Sequence, residues 1–321
     1  MIKMCVGTMG TSNICETLIK AFIKAEIEVG ACYSRSIEKA RAFCEKFEVS
    51  KAYDNFDALL DDQAINTIYI ALPNALHYEY AKKALLNNKH VILEKPFTLR
   101  YAQAKELADI ALGKHLYLFE AVTSIHQKNI QMLKGMIAEI APLHLAQFNY
   151  SKVSRNYKSF KEGEMPNNFN YEMGGGALYD LGVYNIHMAY YLFGKPKYMQ
   201  YMQNTIRGCD CSGAVTLKYD DGLVVSCLAG KDVFAPNGIV LMGEKGYIKT
   251  IDVPSKPTRF IIEKKDFHKE SPAELTNPYI TMLKVFKKIM EDEDYGRHQK
   301  FLDHTLDVMK NMDFLDQNRL R

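Results

Sequence analysis

The sequence contains a carboxylic acid and a phenol that are spaced to act together. Asp180 and Tyr184 lie four residues apart in an apolar stretch that follows three glycines at 174–176 and extends to Phe193. Residues four apart share one face of a helix, with Cβ atoms roughly 5–6 Å apart. An acid can hold a cation and a phenol can donate or accept a proton. An otherwise apolar helix rarely presents such a pair without a use for it, so both are candidate catalytic residues.

A third candidate is Lys95, in the sequence Glu94-Lys95-Pro96 at the end of an apolar segment. An ammonium close to a phenol favours the phenolate and so brings the phenol pKa, ordinarily near 10, towards neutrality. We therefore expect Lys95 to meet Asp180 and Tyr184, with Asp180 holding the lysine and Tyr184 exchanging the proton. The alternative is a surface lysine that precedes a turn.

The first 120 residues alternate between strand-like and helix-like segments, which predicts a parallel sheet wrapped by helices. Ligands bind such sheets at the carboxyl ends of the strands. We assign residues 1–121 to a Rossmann dinucleotide-binding domain. The predicted strands are 2–6, 28–33, 51–53, 67–72, 90–93 and 116–119, and the predicted helices are one capped by Ser12, then 37–47, 56–60, 78–86 and 99–111.

The turn after the first strand is where a dinucleotide fold binds phosphate. Aligned to the pattern G-x-G-x-x-G, Gly10 takes the first place, Ser12 the second and Cys15 the third. The second glycine normally lets the backbone approach the pyrophosphate, whereas a serine hydroxyl at a helix N-terminus can donate to a phosphate oxygen. A plain strand–helix turn capped by Ser12 is the alternative.

The second strand ends at Ser34-Arg35, 24 residues after Gly10. That spacing is near the one at which a dinucleotide fold contacts the adenosine ribose. A serine and an arginine there suit a 2′-phosphate, so the sequence favours NADP, with NAD possible; the alternative is a solvated turn arginine. Further along, Asn74 could be an ordinary helix cap and His77 a surface residue of the following helix.

The second half changes pattern after Glu120, and we assign residues 122–321 to a second, substrate-binding domain. Asp-Gly turns between alternating runs predict antiparallel hairpins in an open, mostly antiparallel sheet covered by helices on one face. The polar segment 151–170, with Arg155, is predicted to border the substrate pocket. The predicted helices are 126–141, the one after the glycine triplet, 279–291 and 299–315, of which the last ones could pack on the first domain.

Composition excludes several classes of protein. The net charge is +3, from 41 basic and 38 acidic residues, which argues against nucleic-acid binding, and no apolar run approaches a membrane span. Residues 1–6 resemble a strand rather than a signal peptide, and the seven cysteines lack a Cys-x-x-Cys pair, so we expect reduced thiols in the cytoplasm. Cys209-x-Cys211 is expected to be buried and apolar, and no metal site is expected.

Together these segments resemble the glucose–fructose oxidoreductase, inositol dehydrogenase and rhizopine-catabolism (Gfo/Idh/MocA) family of oxidoreductases. The resemblance implies an NAD(P)-dependent dehydrogenase that acts on a sugar, polyol or diol, with the same Lys, Asp and Tyr trio. It also implies that the exposed sheet face forms the interface of a homodimer or homotetramer. The residues that carry it are Gly10-Thr11, Tyr33-Ser34-Arg35, Pro73-Asn74, His77, Lys89-His90-Val91, Glu94-Lys95-Pro96, Glu120-Ala121, Gly175-Gly176-Ala177, Asp180, Gly182, Tyr184 and Asn277-Pro278-Tyr279.

The chain departs from the family pattern at the glycine fingerprint and at Tyr184, where many members carry histidine. Tyrosine is similar to the glucose–fructose oxidoreductase and the dihydrodiol or xylose dehydrogenase branch. Substrate contacts are expected from Lys95, Arg155, Tyr184 and His187, although a core histidine is as good an explanation of His187. The residues assigned to the cofactor are Gly10, Thr11, Ser12, Asn13, Ile14, Ser34, Arg35, Leu72, Pro73, Asn74, His77, Glu94 and Lys95.

Two rival functions remain open at this point. The loss of two glycines from the fingerprint, at Ser12 and Cys15, is consistent with a nicotinamide-binding regulator that has lost catalysis. The presence of Lys95, Asp180 and Tyr184 argues against this, because a regulator need not keep groups for proton transfer. An interaction scaffold with a vestigial site would bind no nucleotide at all.

Overall fold

The computed structural model describes residues 2–319, except for the side chain of Asn13. The chain divides into two compact units. The first comprises the residues up to Ala121 together with Tyr279–Met309, and the second comprises Val122–Pro278 together with the segment from Lys310 onward. Residues 279–309 thus belong to the first unit, although they follow the second along the chain.

The first unit contains a six-stranded parallel sheet, as predicted. Its strand order is β3-β2-β1-β4-β5-β6, the order of a Rossmann fold, in which the direction of winding reverses between β1 and β4. The carboxyl ends of β1, β2, β4 and β5 therefore share one edge of the sheet. The strands are β1 Cys5–Met9, β2 Glu28–Tyr33, β3 Lys51–Tyr53, β4 Thr67–Ile70, β5 His90–Leu93 and β6 Leu118–Glu120.

Five helices connect these strands, and their apolar faces cover the sheet. In the first helix Leu18, Ile19 and Phe22 are fully buried, and this burial contributes roughly 1.5–3 kcal/mol for each side chain. The helices are α1 Asn13–Lys24, α2 Ile37–Phe47, α3 Phe56–Asp61, α4 His77–Leu86 and α5 Tyr101–Gly113, and a 3₁₀ turn at Asn74–Leu76 precedes α4.

The first strand lies three residues later than predicted. The prediction of 2–6 followed the apolar residues, whereas the strand is Cys5–Met9. Residues Val6–Met9 pair on both sides, with β2 and with β4, and two ladders of hydrogen bonds outweigh the low strand propensity of Gly7. The shift leaves Gly10 as the first residue after the strand.

The second unit contains an open sheet of eight strands in the order β14-β13-β12-β11-β7-β10-β9-β8. Among the strand pairs of the described residues, the β7–β10 pair is the only parallel one in this sheet, which confirms the predicted, mostly antiparallel sheet. The β13–β14 hairpin was not predicted, since all four residues of β14 are exposed and show no apolar alternation. The strands are β7 Leu143–Ser151, β8 Tyr198–Ile206, β9 Cys209–Lys218, β10 Val224–Gly230, β11 Gly238–Gly243, β12 Gly246–Ile251, β13 Arg259–Lys264 and β14 Phe267–Glu270.

The helices of the second unit are short. The single helix predicted at 126–141 is instead an α-helix between two 3₁₀ turns, and Gly135 lowers the helix propensity of its last turn. The helices are α6 Lys128–Met136, α7 Tyr157–Lys161 and α8 Val183–Phe193, with 3₁₀ turns at Ser124–His126, Ile137–Glu139, Asn167–Phe169 and Tyr171–Met173 and a π-helical turn at Leu178–Gly182.

Two helices end the described chain, α9 Pro278–Glu291 and α10 Tyr295–Gln317. In α9, Leu283 and Phe286 join the same buried cluster as Leu18 and Phe22 of α1. The boundary between the units falls within α10, after Met309. Among residues 2–319, the helices are all too short or too polar to cross a membrane.

Candidate functional site

Gly10 makes the tight turn after β1. Its φ is +104°, and an added Cβ would lie 3.1 Å from the Cys15 sulfur and 3.2 Å from the Ala71 carbonyl oxygen. Its amide donates to the Tyr33 carbonyl at 3.0 Å. Glycine is therefore required here by both backbone conformation and space.

The turn leads into the N-terminus of α1, where Ser12 is the N-cap residue but makes no side-chain hydrogen bond to the described helix backbone. Its hydroxyl lies 3.4 Å from the sulfur of Cys15, and burial raises the pKa of that thiol. The first N–H groups of α1 are thus not capped by Ser12, an arrangement that suits an anion. Thr11 and Ile14 are half-buried, and the side chain of Asn13 lies outside the described part of the structure.

Ser34 and Arg35 occupy the turn between β2 and α2. Arg35 is exposed and Ser34 is half-buried, while the hydroxyl of Ser36 accepts from the amide of Lys39 at 3.3 Å to cap α2. Ser34 and Arg35 thus lie in the turn where the ribose contact is predicted. The exposure of Arg35 is also consistent with the alternative, a solvated turn arginine.

His77 connects the segments that follow β4 and β5. Its ring is fully buried, with Nδ1 2.9 Å from the Pro96 carbonyl oxygen and Nε2 3.0 Å from the Leu72 carbonyl oxygen. Burial lowers the pKa of the ring. Because both nitrogens contact backbone, His77 supports the loops around Pro73 and Pro96; Asn74 opens the 3₁₀ turn before α4.

Buried carboxylates hold the Glu94-Lys95-Pro96 turn. Glu94 accepts from the Tyr69 hydroxyl at 2.6 Å and from the Lys95 amide at 3.1 Å, and burial raises its pKa. Glu120 accepts from the amide of Phe97 at 3.0 Å. Within residues 91–98 only Lys95 is not buried, so its side chain extends from a tightly held backbone.

In the second unit, Asp210 of β9 organises the segment after the glycine triplet. Gly176 has φ +118°, and an added Cβ would lie 1.9 Å from Oδ1 of Asp210. Oδ2 of this fully buried carboxylate accepts from the amide of Leu178 at 2.9 Å and from the Tyr201 hydroxyl at 2.7 Å. A strand residue thus caps the helical segment, and the close approach requires glycine at 176.

The segment that carries Asp180 is a π-helical turn, Leu178–Gly182, which precedes α8. The sequence predicted one continuous helix after the glycines, and residues 177–193 are indeed helical without a break. The α-helical geometry expected at Asp180 is wrong, however, because residues 178–182 form a π-helical turn. A π-helical turn has more residues per turn than an α-helix. The four-residue spacing of Asp180 and Tyr184 therefore does not place their side chains relative to each other as it would in an α-helix. Such turns occur frequently at functional sites.

The predicted residues of this segment differ in burial. The side chain of Asp180 is 35% exposed, Tyr184 is 7% exposed and His187 is fully buried. The Tyr184 ring packs against that of Tyr150, with centroids 5.6 Å apart.

Asp180 forms an ion pair with Lys231, which follows β10. The Asp180 Oδ2 to Lys231 Nζ distance is 2.8 Å, and the lysine side chain is 1% exposed. Lys231 Nζ also donates to the Asn168 carbonyl and lies 4.5 Å from the centroid of the Phe169 ring. The sequence analysis missed both Lys231 and Asp210. The available signal was their position, since Asp210 lies within an apolar strand and Lys231 directly follows one.

Asp180 lines a cavity of about 740 Å³ in this unit. Arg155, a predicted substrate residue, lines the same cavity, so the structure brings these two together. The wall is polar and includes three asparagine amides. The lining residues are Lys152, Val153, Ser154, Arg155, Asn156, Asn167, Asn168 and Asp180.

Comparison with known proteins places the sequence among oxidoreductases. Residues 4–121 match the GFO_IDH_MocA model, described as an oxidoreductase family with an NAD-binding Rossmann fold, and residues 138–249 match the GFO/IDH/MocA C-terminal domain. An uncharacterized oxidoreductase of Escherichia coli, YgjR, is 31% identical over 69% of this chain and 67% of its own. The scyllo-inositol 2-dehydrogenase (NADP(+)) IolU of Bacillus subtilis is 29% identical over 92% and 93%.

Solved structures share the fold at low identity. The 3-ketoreductase KijD10 from Actinomadura kijaniata, in complex with NADP and TDP-benzene, has a TM-score of 0.86 at 23% identity and covers 99% of this chain and 98% of its own. The aldose-aldose oxidoreductase from Caulobacter crescentus has a TM-score of 0.85 at 18% identity, with 99% and 97% covered.

The contact between Gly176 and Asp210 predicts a specific loss of stability. Gly176→Ala should lower the unfolding free energy by about 3 kcal/mol, because overpacking against a buried carboxylate adds to backbone strain. Gly163 has the same φ of +118° but has nothing within 4 Å of an added Cβ. Gly163→Ala should therefore cost only about 1 kcal/mol. The thermal unfolding midpoint measures both, and equal shifts would show that the Asp210 contact is unimportant.

Proposed function

Since the chain belongs to the Gfo/Idh/MocA oxidoreductase family, we propose that it transfers hydride between NADP and a hydroxyl or carbonyl carbon of a sugar, polyol or diol. The observation that carries the substrate class is the cavity lined by Asp180. Its amides, hydroxyl, cations and carboxylate offer both donors and acceptors, which a polyhydroxylated molecule requires.

The first unit's residues suit a dinucleotide. When bound, the nicotinamide accepts or donates the hydride. The turn at Gly10 and the uncapped N-terminus of α1 would hold the pyrophosphate, with Thr11, Ser12, Asn13 and Ile14 around it, and Ser34 and Arg35 would hold a 2′-phosphate. The loops supported by His77 would take the nicotinamide end, through Leu72, Pro73, Asn74, Glu94 and Lys95. NAD remains the second choice of cofactor.

Three residues of this chain would manage the proton. A carbinol that loses a hydride must also lose its hydroxyl proton, and we assign Tyr184 as the group that takes it and returns it in the reverse reaction. Lys95 would supply the positive charge that favours the phenolate. Asp180 would act as the carboxylate that keeps the proton-handling groups oriented, already ion-paired with Lys231. His187 is fully buried, which favours its alternative role in the core.

The charged residues in the cavity wall limit the class of possible substrates further. Lys152 and Arg155 are exposed cations in its wall, whereas Asp180, the one acid among the described lining residues, is paired with Lys231. The lining is thus positive overall. This supports a substrate that carries an anionic group, such as a phosphate or carboxylate, beside its hydroxyls.

Self-association is the remaining part of the proposal. Helix α8 packs on β7 and β10, while Leu145, Tyr198 and Met202 on the sheet are 51%, 65% and 48% exposed. These three exposed apolar side chains lie on one face of the sheet and support a homodimer or homotetramer.

Replacement of Arg35 tests the choice of cofactor. Arg35→Gln should weaken NADPH binding by about 10–100-fold, because a charge-assisted hydrogen bond contributes roughly 1.5–3 kcal/mol, and should leave NADH binding unchanged. Arg41→Gln, on the exposed side of α2, is the control. Fluorescence titration with both nucleotides measures the effect, and unchanged NADPH affinity would identify Arg35 as a solvated turn residue.

Replacement of Tyr184 and Lys95 tests the proton transfer. Tyr184→Phe and Lys95→Met should each lower turnover at least ~100-fold, the typical contribution of a positioned acid or base, with NADPH affinity nearly intact. Tyr191→Phe on the same helix and Lys105→Met on α5 are matched controls. Turnover is followed by NADPH absorbance across sugars, polyols and cyclic diols.

Unchanged turnover in either variant would end the assignment of roles. Nucleotide binding by the wild type without turnover on any compound would instead favour the catalytically silent regulator.

The charge of the substrate is tested with Arg155. Arg155→Gln should lower kcat/KM for glucose 6-phosphate by about 10–100-fold and for glucose by much less, if both are turned over. Lys158, 86% exposed and 3.9 Å from Glu162, provides the control Lys158→Gln. Equal kcat/KM for the neutral and phosphorylated sugars in the wild type would rule out an anion site and leave hydride transfer standing.

A further inference from the structure

We propose that Lys231 is a positioning residue, which holds the Asp180 carboxylate in one orientation in the cavity without touching the substrate. The proposal rests on the hydride-transfer function proposed above and adds a residue to it. Because the Lys231 side chain is 1% exposed, it can act on a bound molecule only through its neighbours.

Lys231 is held by contacts of both its side chain and its backbone within the second unit. Its ammonium contacts the Asp180 carboxylate at 2.8 Å, the Asn168 carbonyl oxygen and the face of the Phe169 ring. Its amide donates to the Cys211 carbonyl at 2.7 Å, and its carbonyl accepts from the Ser154 amide at 2.8 Å. The ammonium thus has a single well-defined position.

Three of these contacts reach the cavity wall. Asp180, Asn168 and Ser154 all line the cavity, and each is bonded to a side-chain or backbone atom of Lys231. The Asn168 carbonyl also accepts from the amide of Gly176 at 3.2 Å. Lys231 therefore contacts the segment 151–170 and the Asp180 carboxylate directly, and it is connected to Gly176 through the Asn168 carbonyl.

A buried lysine is costly unless it has a use. Removing an ammonium from water carries a penalty that an ion pair offsets only in part, and apolar residues of similar volume often fill such positions at no loss. A methionine would fit the same length without a charge. The charge is explained if its purpose is to stabilise the Asp180 carboxylate, which is 35% exposed and so remains accessible from the cavity.

The test compares Lys231→Met with Lys231→Arg. Lys231→Met should lower kcat by about 100-fold, because a displacement of about 1 Å among the groups that orient the proton transfer has this effect. KM should change less than ~3-fold, since Lys231 does not bind substrate directly. Lys231→Arg should recover part of the lost kcat, because it keeps the charge although its geometry differs. Lys158→Met is the exposed control and should behave as wild type.

A second measurement separates positioning from folding. Lys231→Met leaves a carboxylate without its ammonium and should lower the thermal midpoint, whereas the double variant Asp180→Asn with Lys231→Met should regain much of that midpoint. Wild-type kcat in Lys231→Met would overturn the proposal. The proposal would also be overturned if Lys231→Met and Lys231→Arg lost kcat equally and each loss matched the fraction of protein that had unfolded. Absence of hydride transfer by the wild type would instead refute the proposed function, and this role with it.

Discussion

The ion pair between Asp180 and the buried Lys231 is the interaction on which the cavity of the second unit depends. At 1% exposure water cannot stabilise the ammonium, so the carboxylate, the Asn168 carbonyl and the Phe169 ring must do so. Each of these partners is thereby placed within narrow limits. The positions of Asp180, Asn168 and Ser154 in the cavity wall are thus tied to one buried charge.

The first unit uses the same principle around a different lysine. Glu94 and Glu120 accept from the amides of Lys95 and Phe97, and His77 contacts carbonyls from the two neighbouring loops. The backbone is fixed by buried polar groups, and the Lys95 side chain is left to extend from it. Support of this kind preorganises a functional group, because movement would break several buried hydrogen bonds together.

Function in this chain is decided by side chains rather than by fold. KijD10 shares the fold over nearly the whole chain at 23% identity, so the architecture tolerates replacement of most residues. What a given chain accepts must therefore depend on its own cavity. Here that cavity combines asparagine amides with Lys152 and Arg155, and the substrate proposed for the chain follows from this lining.

The sequence by itself determined the two kinds of sheet, the six strands of the first sheet, the turn at Gly10 and the presence of Lys95, Asp180 and Tyr184, because periodicity and turn residues are local signals. It could not reveal that Asp210 caps the segment at Leu178, that this segment is a π-helical turn, or that Lys231 is buried beside Asp180. The cap and the ion pair join residues that are 32 and 51 positions apart in the chain. Only the folded chain decides which distant charge compensates another, since the cost of burying a charge exists only once water has been excluded.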